Sequence, residues 1–153
     1  MIDGSVNAQS KIGYGAYLAI FGSEHLLPEL KKQVKVKRFE QTSSTKLELQ
    51  TLLWALHDIP IAEQKLIVYT DSQNIISLPG RRSRLEQQNY HSRKNILLKN
   101  HRLYQQFYQL IDQLDCQFVK VPGHRPEKQK DTLAQLFSLV DKASRKALRE
   151  NIL

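Results

Sequence analysis

The sequence is short of several things, and each shortage narrows the reading. It has a single cysteine, Cys116, among its 153 residues, so no disulfide can form within the chain, and a reducing setting is expected. No apolar run approaches the length needed to cross a bilayer, and no secretory leader stands ahead of the first motif. A soluble, cytoplasmic protein without a membrane partner is the expectation. There is no internal repeat, low-complexity tract or evident linker. At this length one domain spanning 1–153 is expected, large enough to bury a core without metal or disulfide staples. Acidic residues are also scarce, 15 against 23 Lys and Arg, for a formal charge of +8. That excess points to a polyanionic partner, although net charge says nothing about fold.

The patterning of what remains predicts five strands interleaved with helices. Ile2–Asn7 and Lys11–Phe21 read as strands, the second with Gly13 and Gly15 permitting close backbone approach. Gly22 and Ser23 begin a polar turn. Val34–Phe39 alternates in the manner of a half-exposed strand. Leu49, Leu52, Leu53 and Leu56 recur at helical spacing, with Ser44 or Thr45 available as a cap. Lys65–Tyr69 reads as a buried strand. Ser72–Leu78 reads as a short helix stopped by Pro79-Gly80. Arg81–Arg93 is basic and has no clear assignment. Asn95–Leu114 reads as a helix, Cys116–Val121 as a strand and Thr132–Glu150 as a closing helix. Three strands in succession imply an antiparallel meander, and the later strands alternate with helices as parallel additions do. The fold class expected is therefore α/β (α+β), a mixed five-stranded sheet with helices on both faces.

Acids at the ends of neighbouring elements are where metal-assisted phosphodiester chemistry would be built, because Mg²⁺ takes a few hard carboxylate ligands and keeps its waters. Four candidates occur: Asp3 in the first strand, Glu48 early in the first long helix, Asp71 at the end of the fourth strand and Asp141 on the last helix. Each taken alone has an ordinary explanation, as a turn, a helix cap or a solvated helix residue.

Taken together, the motifs resemble those of type 1 ribonuclease H. Asp3-Gly4-Ser5 is followed by Gly13-Tyr14-Gly15-Ala16. Then come Thr45-Lys46-Leu47-Glu48-Leu49, Thr70-Asp71-Ser72-Gln73 and Val121-Pro122-Gly123-His124. The resemblance covers almost the whole chain, in order. It implies a ribonuclease H-like fold and a Mg²⁺-dependent endonuclease that hydrolyses the RNA strand of an RNA–DNA hybrid. It further implies that Asp3, Glu48, Asp71 and Asp141 bind two Mg²⁺ ions, with Mn²⁺ a possible substitute. His124 matches a mobile-loop histidine of the family, thought to help proton transfer or product release.

Substrate contacts implied by the resemblance are Ser5, Asn7, Ser44, Thr45, Lys46 and Gln73. A basic stretch holding Arg81, Arg82, Arg84, Arg93 and Lys94 falls where the family carries a protrusion that grips the DNA strand, and phosphate contacts of that kind give sequence-independent affinity. A monomer is expected.

The chain departs from the family pattern in three places. Only two residues precede Asp3. Ser44 and Thr45 stand where paired Asn side chains are usual, so hydroxyls replace amides at the positions that read 2′-hydroxyls. The last carboxylate lies seventeen residues after His124, with Asp131 nearer. Asp141 is preferred because the residues after it follow the family's final-helix pattern. Two residues ten apart on a helix are rotated by about 280°, so Asp131 and Asp141 are not expected to share a face. Three alternatives stay open: a catalytically weak nucleic-acid-binding domain of this fold, a DNA-directed nuclease of the same superfamily, and an unrelated small basic scaffold protein whose acids serve as caps.

Overall fold

The computed structural model describes residues 1–22, 27–60, 65–122 and 131–151. Strands β1 (Ile2–Asn7), β2 (Ile12–Tyr17) and β3 (Lys35–Phe39) form the antiparallel meander expected of three strands in succession. Strands β4 (Leu66–Thr70) and β5 (Cys116–Lys120) pair in parallel. The five strands thus make two hydrogen-bonded groups, and β1 of the first packs beside β4 of the second. Helices cover both faces. On one side, α2 (Ser44–Asp58), α3 (Gln73–Gln87) and α4 (His101–Gln113) build a core around Leu49, Leu52, Ile75, Leu78 and Phe107. On the other, α1 (Leu27–Gln33) and α5 (Thr132–Glu150) close over Ala16 and Leu18, using Leu30 and Val140.

The fit of α2 against the meander depends on missing side chains. A Cβ on Gly15 would lie 2.1 Å from the Thr51 hydroxyl oxygen, and one on Gly13 would lie 2.8 Å from Leu47. The glycines let the helix settle directly onto the β2 backbone, and that seating brings Glu48 up to the sheet. The Tyr17 hydroxyl also donates to the Asp58 carboxylate, tying the end of β2 to the end of α2.

Several local expectations are corrected. Strand β2 stops at Tyr17 rather than Phe21. Helix α1 follows the stretch read as a polar turn; it is short and has one buried anchor, Leu30. The cap of α2 is Ser43, whose hydroxyl accepts from the Lys46 amide, and not Ser44 or Thr45. Helix α3 does not stop at Pro79-Gly80 but runs through both to Gln87. Proline removes one backbone bond of the ladder, but Ile75, Leu78 and Leu85 are all buried along this helix, and the Tyr108 hydroxyl donates to the Leu78 carbonyl at 2.7 Å. Burial on both sides of the proline outweighs the lost bond. Helix α4 starts at His101 and not at Asn95. Asn89, Tyr90 and Asn95 have positive φ, a backbone state that no α-helix accommodates, so the chain between α3 and α4 turns back on itself.

Candidate active site

The four acids come from four separate elements. Asp3 lies in β1, opposite Ala16 of β2. Added Cβ atoms show that Gly4 faces α2, and side chains alternate along a strand, so Asp3 and Ser5 face α5. Asp141 projects from α5 towards them. Its carboxylate shares a hydrogen bond with the Asp3 carboxyl and accepts from Arg145 Nε at 3.0 Å, one helical turn on.

Glu48 lies in the second turn of α2. Its Oε2 accepts from the Ser72 hydroxyl at 2.6 Å. Asp71 stands between β4 and α3, exposed to solvent, and its charge acts on both Asp3 and Glu48. A single electrostatic cluster therefore joins β1, α2, the β4–α3 junction and α5.

The electrostatics of the cluster have definite causes. Burial first, then the hydrogen bond that the protonated Asp3 carboxyl donates to Asp141, and the charge of Asp71, push the Asp3 carboxyl up to about 8. Burial also raises Glu48, with Asp71 adding to it and the Ser72 hydroxyl opposing it. Like charges brought together in a poorly solvated place disfavour ionisation, and the cluster responds by sharing a proton. Among the described residues no three of these side chains converge as a closed ligand set. The half-buried Asp3, its carboxyl raised by burial and by its acidic neighbours, is where positive charge is most plainly wanted. Hard oxygen donors, an unfavourable anionic cluster and one solvent-facing side suit Mg²⁺ or Mn²⁺, and Asp3, Glu48, Asp71 and Asp141 are the residues that would hold it. Asp131 does a different job: its side chain accepts from the Ala134 amide and caps α5.

Ser72 was not among the sequence candidates, yet it holds the site together. Its hydroxyl donates to Glu48 while accepting from the Ile75 amide as the cap of α3, and its own amide donates to the Thr70 hydroxyl. The sequence signal available was the N-cap position itself; the Glu48 contact spans 24 residues and has no local signature. Ser72→Ala should cost about 1 kcal/mol for the lost cap and weaken divalent-ion affinity about tenfold for the lost anchor. Thermal melting and calorimetric titration with Mg²⁺ read the two effects separately. A second such contact lies under Asp141. The buried Ser144 hydroxyl donates to the Asp141 carbonyl at 3.0 Å and lies 3.2 Å from the Ser5 hydroxyl, fastening α5 to β1.

The residues named as substrate contacts are distributed as follows. Ser44 and Thr45 are exposed in the first turn of α2, beside Lys46, whose ammonium donates to the Gln41 carbonyl. Gln73, at the start of α3, accepts from Lys120 of β5 at 2.8 Å. Ser5 faces Ser144. The Asn7 side chain accepts from the Gln9 and Ser10 amides and shapes the β1–β2 turn. Arg84, Arg93 and Lys94 are exposed. Arg82 is engaged within the fold: Asp112 of α4 takes both its terminal nitrogens at 2.6 and 2.8 Å, and Glu86 takes its Nε. Arg81 lies over the Tyr104 ring and reaches Asn74. Arg81 and Arg82 thus join α3 to neighbouring side chains, while Arg84, Arg93 and Lys94 present charge outward. His124 lies outside the described residues.

Comparison with known proteins bears on the family and the fold. The family model described as RNase H matches residues 1–144, a span that includes all four acids. A solved structure of a foamy viral protease-reverse transcriptase in complex with dsDNA is similar with a TM-score of 0.65. The alignment covers 95% of this chain and 92% of that chain at 15% identity, which speaks to fold alone. No curated protein matches.

Proposed function

The chain belongs to the RNase H family, and on that premise we propose that it is a divalent-metal-dependent endonuclease cutting the RNA strand of RNA–DNA hybrids. The observation that carries this reading is the meeting of Asp3, Glu48, Asp71 and Asp141 from four elements in one electrostatic cluster. Mg²⁺ or Mn²⁺ bound there supplies an activated water, stabilisation of the leaving 3′-oxygen and neutralisation of the phosphate, so that products carry 5′-phosphate and 3′-hydroxyl ends.

The protein's own groups position and orient. Ser72 fixes the Glu48 carboxylate, and Arg145 fixes that of Asp141. The Ser5–Ser144 contact holds α5 at its distance from β1. In this reading the hydroxyls of Ser44 and Thr45, both exposed, donate to and accept from 2′-hydroxyls, the groups that distinguish RNA from DNA. Arg84, Arg93 and Lys94 supply phosphate attraction without reading sequence. His124 is proposed to assist proton transfer or product release.

The test is cleavage of an end-labelled hybrid in Mg²⁺, beside RNA-duplex and DNA-duplex controls. Only the RNA strand of the hybrid should be cut, leaving 3′-hydroxyl ends. Cutting of the DNA duplex at a comparable rate would replace this reading with that of a DNA-directed nuclease.

A further inference from the structure

Between α1 and the C-terminal half of α5 the surface opens into a groove of about 1330 Å³. Its floor is aliphatic, formed by Val6, Val34, Val36 and Leu139. Cations line its walls: Lys142, Arg145, Lys146 and Arg149 along α5, and Lys31 on α1. Two acids also line it, Asp141 and Glu150, and each is paired to a cation of the same helix, at 3.0 Å from Arg145 and 3.9 Å from Lys146. The balance of the groove remains positive. Asp141 and Ser5 belong to its lining, so the groove is continuous with the carboxylate cluster. It is separate from the basic surface on α3 and the turn before α4, whose helices pack on the opposite face of the sheet.

We propose that this groove receives an unpaired nucleic-acid strand continuing from the scissile position. The inference rests on the proposed function and adds a second route for the substrate backbone. Three observations carry it. The charge of the walls complements phosphate. The groove runs past Asp141, beside which a strand being cut must pass. From Asp141 to Arg149 the helix rises by about 12 Å, room for a few successive phosphates of one strand. Among the described residues the lining has no aromatic ring and so no stacking platform; binding there is sequence-independent and salt-sensitive. An acidic peptide would satisfy the same charges, but it has no need of a groove that is continuous with the carboxylate cluster.

The experiment compares binding of a blunt hybrid with hybrids bearing RNA extensions of one to eight nucleotides at either end, in Ca²⁺ so that binding is read without cleavage. An extension at one end should tighten binding about tenfold at low salt, and the gain should level off near three or four nucleotides. Lys31→Glu combined with Arg149→Glu should remove the gain and leave affinity for the blunt hybrid within about twofold. Both side chains are exposed, and melting of the variant checks that it folds. Equal affinity for blunt and extended hybrids overturns the groove and leaves the proposed function standing. So does a gain that survives the double substitution. Failure to bind any hybrid overturns both.

Discussion

Asp3→Asn should abolish hybrid cleavage and, in the absence of metal, make the protein more stable. The two effects have one cause. Asp3 is held in the anionic cluster by burial and by its neighbours, and its carboxyl is raised far above the usual range. A carboxyl whose folded value lies above its unfolded value gives stability that is fully present below the unfolded value. That stability is lost as pH rises through the folded one. Metal-free protein should therefore lose stability between about pH 4 and pH 8, and Asn, which never ionises, should flatten that slope. At pH 8 in EDTA the variant should gain about 2 kcal/mol, much less than the full displacement would imply because the cluster shares its proton, or about 4–8 °C in melting temperature. Cleavage in Mg²⁺ should fall by at least about a thousandfold, since a neutral amide no longer completes the ligand set. Calorimetric melting across pH, with and without Mg²⁺, reads the first effect, and single-turnover cleavage reads the second. A variant that is both inactive and destabilised at pH 8 would show that Asp3 is held by favourable contacts and not under electrostatic strain.

Gly15→Val should unfold the protein or come close to doing so. An added Cβ meets three atoms of Thr51 at 2.1, 2.9 and 3.0 Å, and the last of these is the Thr51 Cβ itself, so rotation of that side chain does not clear the clash. Helix α2 would have to rise from β2, carrying Glu48 away from Asp71 and opening the core at Leu52. Overpacking costs about 1–3 kcal/mol for each excess in a rigid core, and displacement of a whole helix places this substitution at or above ~4 kcal/mol, an exceptional value. Denaturant unfolding measures it. Gly15→Val with Thr51→Gly should recover much of the loss, because the two residues occupy the same space.

The parts of this molecule legible in the sequence are those whose signal is local. Period-two and helical patterns placed the strands and most of the helices, and Gly13 and Gly15 announced a close backbone approach, whose partner the fold shows to be α2. The four acids stood out because each lies in a patterned strand, at a strand's end or on a patterned helix, in an order that resembles a known family. What escaped the sequence depended on distant partners. Helix α3 continues through Pro79 because Tyr108, 30 residues from Leu78, bonds its carbonyl and because Leu85 is buried beyond it. Arg82 belonged to a basic run by sequence; only the fold brings Asp112 to it across 30 residues. The choice between Asp131 and Asp141 was likewise a matter of helix faces and neighbours: one caps α5 and the other meets Asp3. Ser72 and Ser144 are small polar residues whose importance comes entirely from what they touch.

The central claim is that the carboxylate cluster performs hybrid cleavage, and Asp71→Asn tests it most directly. Asp71 is exposed, so the variant keeps the core and the basic surfaces. Cleavage of an RNA–DNA hybrid in Mg²⁺ is compared for native protein and variant, with hybrid affinity measured on the same preparations. The account predicts native cleavage confined to the RNA strand, a loss of at least about a thousandfold in the variant, and hybrid affinity within about threefold of native, since phosphate contacts set affinity. Binding by both proteins with cleavage by neither, in Mg²⁺ or Mn²⁺, would contradict it and leave a nucleic-acid-binding domain of this fold.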